Sequence, residues 1–191
     1  MLGPVARSAV KTVRFYTLPQ PKLVISPAET ALHENVTLTC DSPGVQAPNL
    51  SLWIRNANRT LASGHERPLN FTLAAHEEDD GREFVCEVMT SAKGRTVRKT
   101  AFANLTVRYG PKMDTTTCPG NWTWEEGTEQ TLSCTARGNP MPSVECVKDS
   151  VALKIGVSQR ITRELTGTYR CTATNDRGSA VQDVSIRVQC E

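Results

Sequence analysis

The residues best placed to do chemistry in this chain are its cysteines and a set of asparagines, and both point to covalent modification. Cys40, Cys86, Cys118, Cys134, Cys146, Cys171 and Cys190 fall in two clusters, without the repeated Cys-x-x-Cys or paired histidines that a zinc site requires. They read as disulfide partners. Disulfides persist where thiols are not kept reduced, so the chemistry is that of the secretory pathway or the cell exterior. Asn-x-Ser/Thr sequons start at Asn35, Asn49, Asn58, Asn70, Asn104 and Asn121, none with proline in the middle. From nine asparagines and 35 serines plus threonines among 191 residues, chance gives fewer than about two such sites. Six mark N-glycosylation acceptors, which carry glycans only on a chain that enters the secretory pathway.

Other chemistries find little support. His33, His65 and His76 are isolated in sequence, no Gly-x-Ser-x-Gly or His-Glu-x-x-His occurs, and oxidised cysteines are not nucleophiles. The chain is therefore expected to be no enzyme, with no catalytic residues, metal or cofactor. A net charge of +2 is too weak to imply nucleic acid as a partner. Met1 to Tyr16 lacks the apolar core of a secretory leader, and no run approaches the roughly 18 apolar residues of a membrane span. Secretory chemistry without leader or anchor suggests a piece of a longer product.

The elements that hold these residues are strands, read from apolar side chains at every second position. Val36, Leu38 and Cys40 share one face; so do Leu50, Leu52 and Ile54; then Leu69, Phe71 and Leu73; Phe84, Cys86 and Val88; and Ala101, Ala103, Leu105 and Val107. Asn35, Asn49, Asn70 and Asn104 fall at the opposite parity, where a glycan would meet solvent. Five strands with turn-rich intervals such as Asp41 to Pro48 predict an all-β, two-sheet immunoglobulin-like sandwich. Cys40 and Cys86 stand on the runs that such a fold bridges, and their bond would contribute about 3 to 4 kcal/mol. Parity puts Leu52 in the core and Trp53 outside it.

Tyr109-Gly110-Pro111 breaks the extended pattern and is taken as a domain boundary. Beyond it the plan repeats: Leu132 and Cys134, Val144 and Cys146, Tyr169, Cys171 and Ala173, then Val184, Ile186 and Val188. Tyr169 stands two residues before Cys171, the tyrosine-corner arrangement. Phe84 holds the equivalent place in the first half and has no hydroxyl, so that corner is expected to be held by packing alone. Val10 to Tyr16 reads as the last strand of a preceding domain, with Thr17 to Pro21 as connector. The organisation expected is 1–18 remnant and connector, 19–109 one immunoglobulin-like domain of C2/I type, and 110–191 another. Four cysteines in the second half allow three pairings, and Cys190 is left over. Its readings are an interchain bridge or a partner beyond the chain.

Several segments resemble the intercellular adhesion molecules. In the second half these are Tyr109 to Asp114, Cys118-Pro119-Gly120-Asn121-Trp122-Thr123-Trp124, Gly138-Asn139-Pro140, Glu145 to Lys148 and Gly167 to Cys171; in the first, Asp79 to Cys86 and Pro19 to Pro21. The tryptophan run is the specific one. The resemblance covers nearly the whole chain, as the end of one domain followed by two membrane-proximal ones. It implies Cys118 paired with Cys134 and Cys146 with Cys171, in preference to Cys134 with Cys171 plus Cys118 with Cys146. It also implies the extracellular side of a type I membrane glycoprotein, with leukocyte integrins and other cell-surface proteins as partners and membrane anchoring only in a longer form. The family's integrin-contacting glutamate lies in its first domain, and no residue here takes that role. The function expected is that of adhesion-receptor stalk domains; the alternatives are a secreted decoy or the ectodomain of a signalling receptor.

Met113-Asp114-Thr115 has the apolar-acid-hydroxyl form that integrins recognise in some immunoglobulin ligands, but its place beside the boundary makes it an ordinary linker carboxylate. Lys93, Arg95, Arg98 and Lys99 form a basic cluster able to meet heparan sulfate or sialylated glycans, and read first as a solvated hairpin tip. Trp122 and Trp124 are expected to pack near the domain junction.

Overall fold

A computed structural model describes residues 18–44, 49–92 and 94–190. The suggested strand at Val10 to Tyr16, the end of the Asp41 to Pro48 turn and Lys93 lie outside the described residues. Among the described residues seventeen strands follow one another. The first nine are β1 (Lys22–Ser26), β2 (Glu29–Ala31), β3 (Asn35–Asp41), β4 (Leu50–Asn56), β5 (Arg59–Gly64), β6 (Leu69–Ala74), β7 (Glu83–Ala92), β8 (Arg95–Asn104) and β9 (Thr106–Met113). Then come β10 (Asn121–Glu125), β11 (Glu129–Thr131), β12 (Ala136–Asn139), β13 (Ser143–Lys148), β14 (Val151–Leu153), β15 (Ser158–Arg160), β16 (Gly167–Asn175) and β17 (Gly178–Gln189). The fold is all-β and immunoglobulin-like.

Two compact units divide these strands. One comprises the described residues up to Ser26 with Thr37–Thr72 and Glu83–Asn104; the other comprises Pro27–Val36, Leu73–Arg82 and Leu105 onward.

In the first unit, one sheet runs β1-β3-β6 and the other β5-β4-β7-β8. Alternation decides which side chains enter the core: Leu38 and Cys40 of β3, Leu50, Leu52 and Ile54 of β4, and Phe84, Cys86 and Val88 of β7 are all buried. The Cys40–Cys86 bond joins the two sheets. Leu52 is fully buried and Trp53 half-buried, as their parity predicts. The connector lies along β8, where Gln20 Nε2 donates to the Thr100 carbonyl at 2.7 Å. Strands β1 and β5 have weak apolar alternation, and the sequence pattern does not mark them.

The strand expected over Ala101 to Val107 is interrupted at Leu105. There the backbone bonds to a turn instead of a ladder: Gly81 N donates to Leu105 O at 2.9 Å, and Leu105 N to Arg82 O at 3.0 Å. The chain resumes as β9 in another sheet, ordered β12-β9-β2, pairing in parallel with β2 and antiparallel with β12.

β9 runs through Tyr109-Gly110-Pro111 without the break that the sequence suggests. Proline has no N–H to give a ladder. Between the Arg137–Lys112 and Asn139–Tyr109 pairs, Gly110 and Pro111 of β9 face the single residue Gly138 of β12, so β9 bulges where the donor is missing. Gly138 sits opposite that bulge, where a Cβ would come within 2.8 Å of Pro142 Cγ.

The second unit also holds the five-stranded sheet β10-β17-β16-β13-β14 and the pair β11-β15. Its core gathers Trp124, Leu132, Leu153, Ile161, Tyr169, Val184 and Ile186 around four buried cysteines. The Leu132 and Cys134 run is buried as expected but is not a strand, falling between β11 and β12 with only a bridge from Leu132 to Ile155.

Candidate functional site

Two sets of covalent chemistry are laid out on this framework: sulfur inside, amide nitrogen outside. The bonds found are Cys40–Cys86, Cys118–Cys134 and Cys146–Cys171, with Cys190 free and exposed. Cys146 and Cys171 are direct cross-strand neighbours of β13 and β16, so their bridge lies within one sheet. Cys118, Cys134 and Cys171 place their sulfurs within 4.8 Å of one another, fully enclosed. All three sulfurs are bonded in disulfides, so the cluster offers no thiolate to a metal.

All six sequon asparagines are exposed. Asn35 opens β3, Asn49 precedes β4, Asn58 lies in the turn from β4 to β5, Asn70 is in β6, Asn104 ends β8 and Asn121 opens β10. Asn70 Oδ1 accepts from Thr39 Oγ1 at 2.8 Å, which holds that side chain on the outer face of its sheet.

The outer face of β5-β4-β7-β8 carries an arrangement that the strand pattern does not reveal. Glu87 is buried although it alternates outward from Cys86 and Val88. Its Oε1 lies 2.7 Å from Arg98 Nε and its Oε2 3.3 Å from Arg55 Nε, and the Arg55 guanidinium lies 5.7 Å from the Trp53 ring centre. A carboxylate between two cations satisfies the charge that burial would otherwise make costly. One member of the basic hairpin cluster, Arg98, is thus spent on Glu87. The signal in the sequence is an outward acid on one strand with arginines on both flanking strands, visible only once pairing is known.

Three other expectations change. The approach to β7 is not held by packing alone: Asp79 is buried, accepts from His76 N at 3.0 Å and pairs with Arg82. His33 and His76 are not isolated, their rings meeting edge to face at 5.8 Å. Trp124 is buried and Trp122 half-buried, but β10 pairs with Ser185–Gln189, the far end of β17. The opposite end of the β16–β17 hairpin is the one near Tyr109, whose carbonyl accepts from Asn175 Nδ2 at 3.0 Å. Asp114 turns its carboxylate inward on its own loop, with Oδ1 accepting from Thr116 N at 3.0 Å and Thr116 Oγ1 at 2.6 Å. Those bonds hold its carboxyl below the usual range.

The second corner forms as the sequence predicts. Tyr169 OH donates to Leu165 O at 3.2 Å, and Lys148 Nζ closes the same turn on Glu164 O at 3.1 Å and Thr166 O at 2.7 Å. Burial pushes the Tyr169 phenol up from its ordinary pKa.

Paired sheets, buried bridges and a tyrosine corner define a chain of the immunoglobulin superfamily, and residues 116–188 match the immunoglobulin domain family. The solved ectodomain of mouse nectin-like molecule 4 has the same fold, at a TM-score of 0.66 and 19% identity over 90% of this chain and 65% of that one. So do extracellular domains 3–5 of Drosophila OTK, at 0.56 and 19%, over 91% and 68%. Among curated proteins, human intercellular adhesion molecule 5 is 40% identical over 190 residues, which is 98% of this chain and 20% of that protein. Human intercellular adhesion molecule 1 is 34% identical over 193 residues, 98% of this chain and 34% of that protein. Over nearly all of its length the chain is similar to intercellular adhesion molecules, and it spans about a fifth to a third of the length of these relatives.

Proposed function

We propose that the chain is part of the ectodomain of a leukocyte-integrin-binding adhesion receptor, and that it serves as a glycosylated stalk presenting distal binding domains. Two tandem immunoglobulin-like domains, 19–109 and 110–191, follow a connector at 1–18. Leukocyte integrins meet the receptor through other domains, and the receptor is a type I protein of the cell surface. The observation that carries this reading is the alignment of 98% of the chain with intercellular adhesion molecules. The exposure of all six sequon asparagines supports it. Glycans on Asn35, Asn49, Asn58, Asn70, Asn104 and Asn121 would keep such a stalk hydrated and oppose lateral association. The three bridges would keep each region closed outside the cell. Asp114 is already occupied by Thr116, which suits a linker carboxylate better than an integrin contact.

The test is surface plasmon resonance of the purified chain against leukocyte integrins in magnesium and manganese. No metal-dependent binding is expected. Tight binding that Asp114→Ala abolishes would overturn the stalk reading.

A further inference from the structure

We propose that the exposed ring of Phe102 is the seat of the first sugar of an N-glycan on Asn104. The inference rests on the glycosylation reading above and adds a specific contact to it. Phe102 is 59% exposed, the one aromatic among the exposed large hydrophobic side chains of the described residues. An exposed aromatic face is free to stack on an apolar partner. Phe102 and Asn104 stand two apart on β8, so their side chains leave the same face of the sheet. At about 3.4 Å per residue their Cα atoms are about 6.8 Å apart, so a sugar carried by one side chain lies beside the other.

Cross-strand partners frame the seat. Val85 lies opposite Phe102 and Glu83 opposite Asn104, while Arg55 pairs with Val85 from the other side. The ring therefore has an apolar neighbour on its inner flank, and 59% of the residue is open to solvent. Attachment would form a bond from Asn104 Nδ2 to C1 of the sugar as the C1–O bond to a lipid pyrophosphate breaks, the pyrophosphate leaving and one amide proton passing to it or to solvent. The hexosamine's apolar C–H face can then lie on the π-face of Phe102, removing area from water on both. The other sequons have no such seat: the residue two before the asparagine is His33, Ala47, Asn56, Pro68 or Pro119. The contact is thus specific to one glycan of six.

The test uses the full chain secreted from mammalian cells in four forms: unchanged, Phe102→Ala, Asn104→Gln and the double variant. Glycopeptide mass spectrometry first establishes occupancy at Asn104. With the glycan present, Phe102→Ala is expected to lower the unfolding temperature by about 4 °C, and in the Asn104→Gln background by no more than about 1 °C. Equal shifts in both backgrounds on an occupied chain overturn the stacking while leaving glycosylation standing. An unoccupied Asn104 in the unchanged chain overturns both. A second readout is the N-acetyl methyl resonance of the isotope-labelled first sugar. It is expected to be shifted upfield by the ring current and to return to its free position in Phe102→Leu; a free-like position in the unchanged chain overturns the proposal.

Discussion

Around Cys40 and Cys86 a single disulfide crosses from one sheet to the other, whereas around Cys146 and Cys171 the bond lies inside one sheet and a second bridge packs beside it. The corners differ in the opposite sense. The second is closed by a phenol hydroxyl and a lysine on backbone carbonyls, the first by a buried aspartate, with Phe84 where a tyrosine could stand. The same β-architecture is thus closed by different covalent and polar links. Where the sheets are tied by sulfur, the turn before the cysteine strand does without a hydroxyl. Where the bridge no longer spans the sheets, the hydroxyl is present.

The largest effect should come from the bonds themselves. Loop closure ranks them by sequence separation: 46 for Cys40–Cys86, 25 for Cys146–Cys171 and 16 for Cys118–Cys134. Paired replacement by alanine is expected to cost about 4, 3.5 and 3 kcal/mol in that order, each a large share of the roughly 5 to 15 kcal/mol that holds a domain. Urea unfolding of the three double variants would measure it. If the pair within one sheet proves the most costly, the bridges act through native packing more than through the unfolded chain, and the comparison must be redrawn.

Next in size is the first corner. Asp79→Ala removes the acceptor from His76 N and the partner of Arg82, and is expected to cost about 2 kcal/mol by leaving polar groups underused at a buried position. A loss under about 0.5 kcal/mol in thermal unfolding would mean that packing suffices there after all.

How far these features were legible follows from what the chain alone encodes. Local alternation marked Val36, Leu38, Cys40, Leu52 and Phe84 as core, because a strand with one wet face repeats every two residues. The tyrosine corner was legible for the same reason: its partners, Tyr169 and Leu165, are close in sequence. Glu87 was not, since its burial depends on arginines brought from two other strands. Nor was the passage of β9 through Gly110-Pro111, because absorbing those two residues as a bulge depends on the register of a partner strand, β12, that lies more than twenty residues further on. The sequon positions were plain, but Phe102 as a neighbour of Asn104 gained meaning only when its ring proved to be exposed.

The smallest effect sharpens the contrast by pH. Tyr169→Phe deletes the hydroxyl that reaches Leu165 O and should cost about 1 kcal/mol at neutral pH. Desolvation raises the folded phenol above its ordinary value, while the unfolded phenol titrates near 10. The neutral form is therefore favoured in the fold: its stabilisation is complete below about pH 10 and is lost as the pH rises through the raised folded value. The unchanged chain should weaken there more steeply than Tyr169→Phe, so the cost of the substitution should shrink as alkali is added. Tyr109, also raised chiefly by desolvation, gives a slope of the same sign in both chains and cancels from the difference. Phe84 supplies no such term to the first corner. Fluorescence-detected unfolding from pH 8 to 11 would read the difference, and a constant gap between the two chains would show that the hydroxyl contributes nothing that depends on its proton.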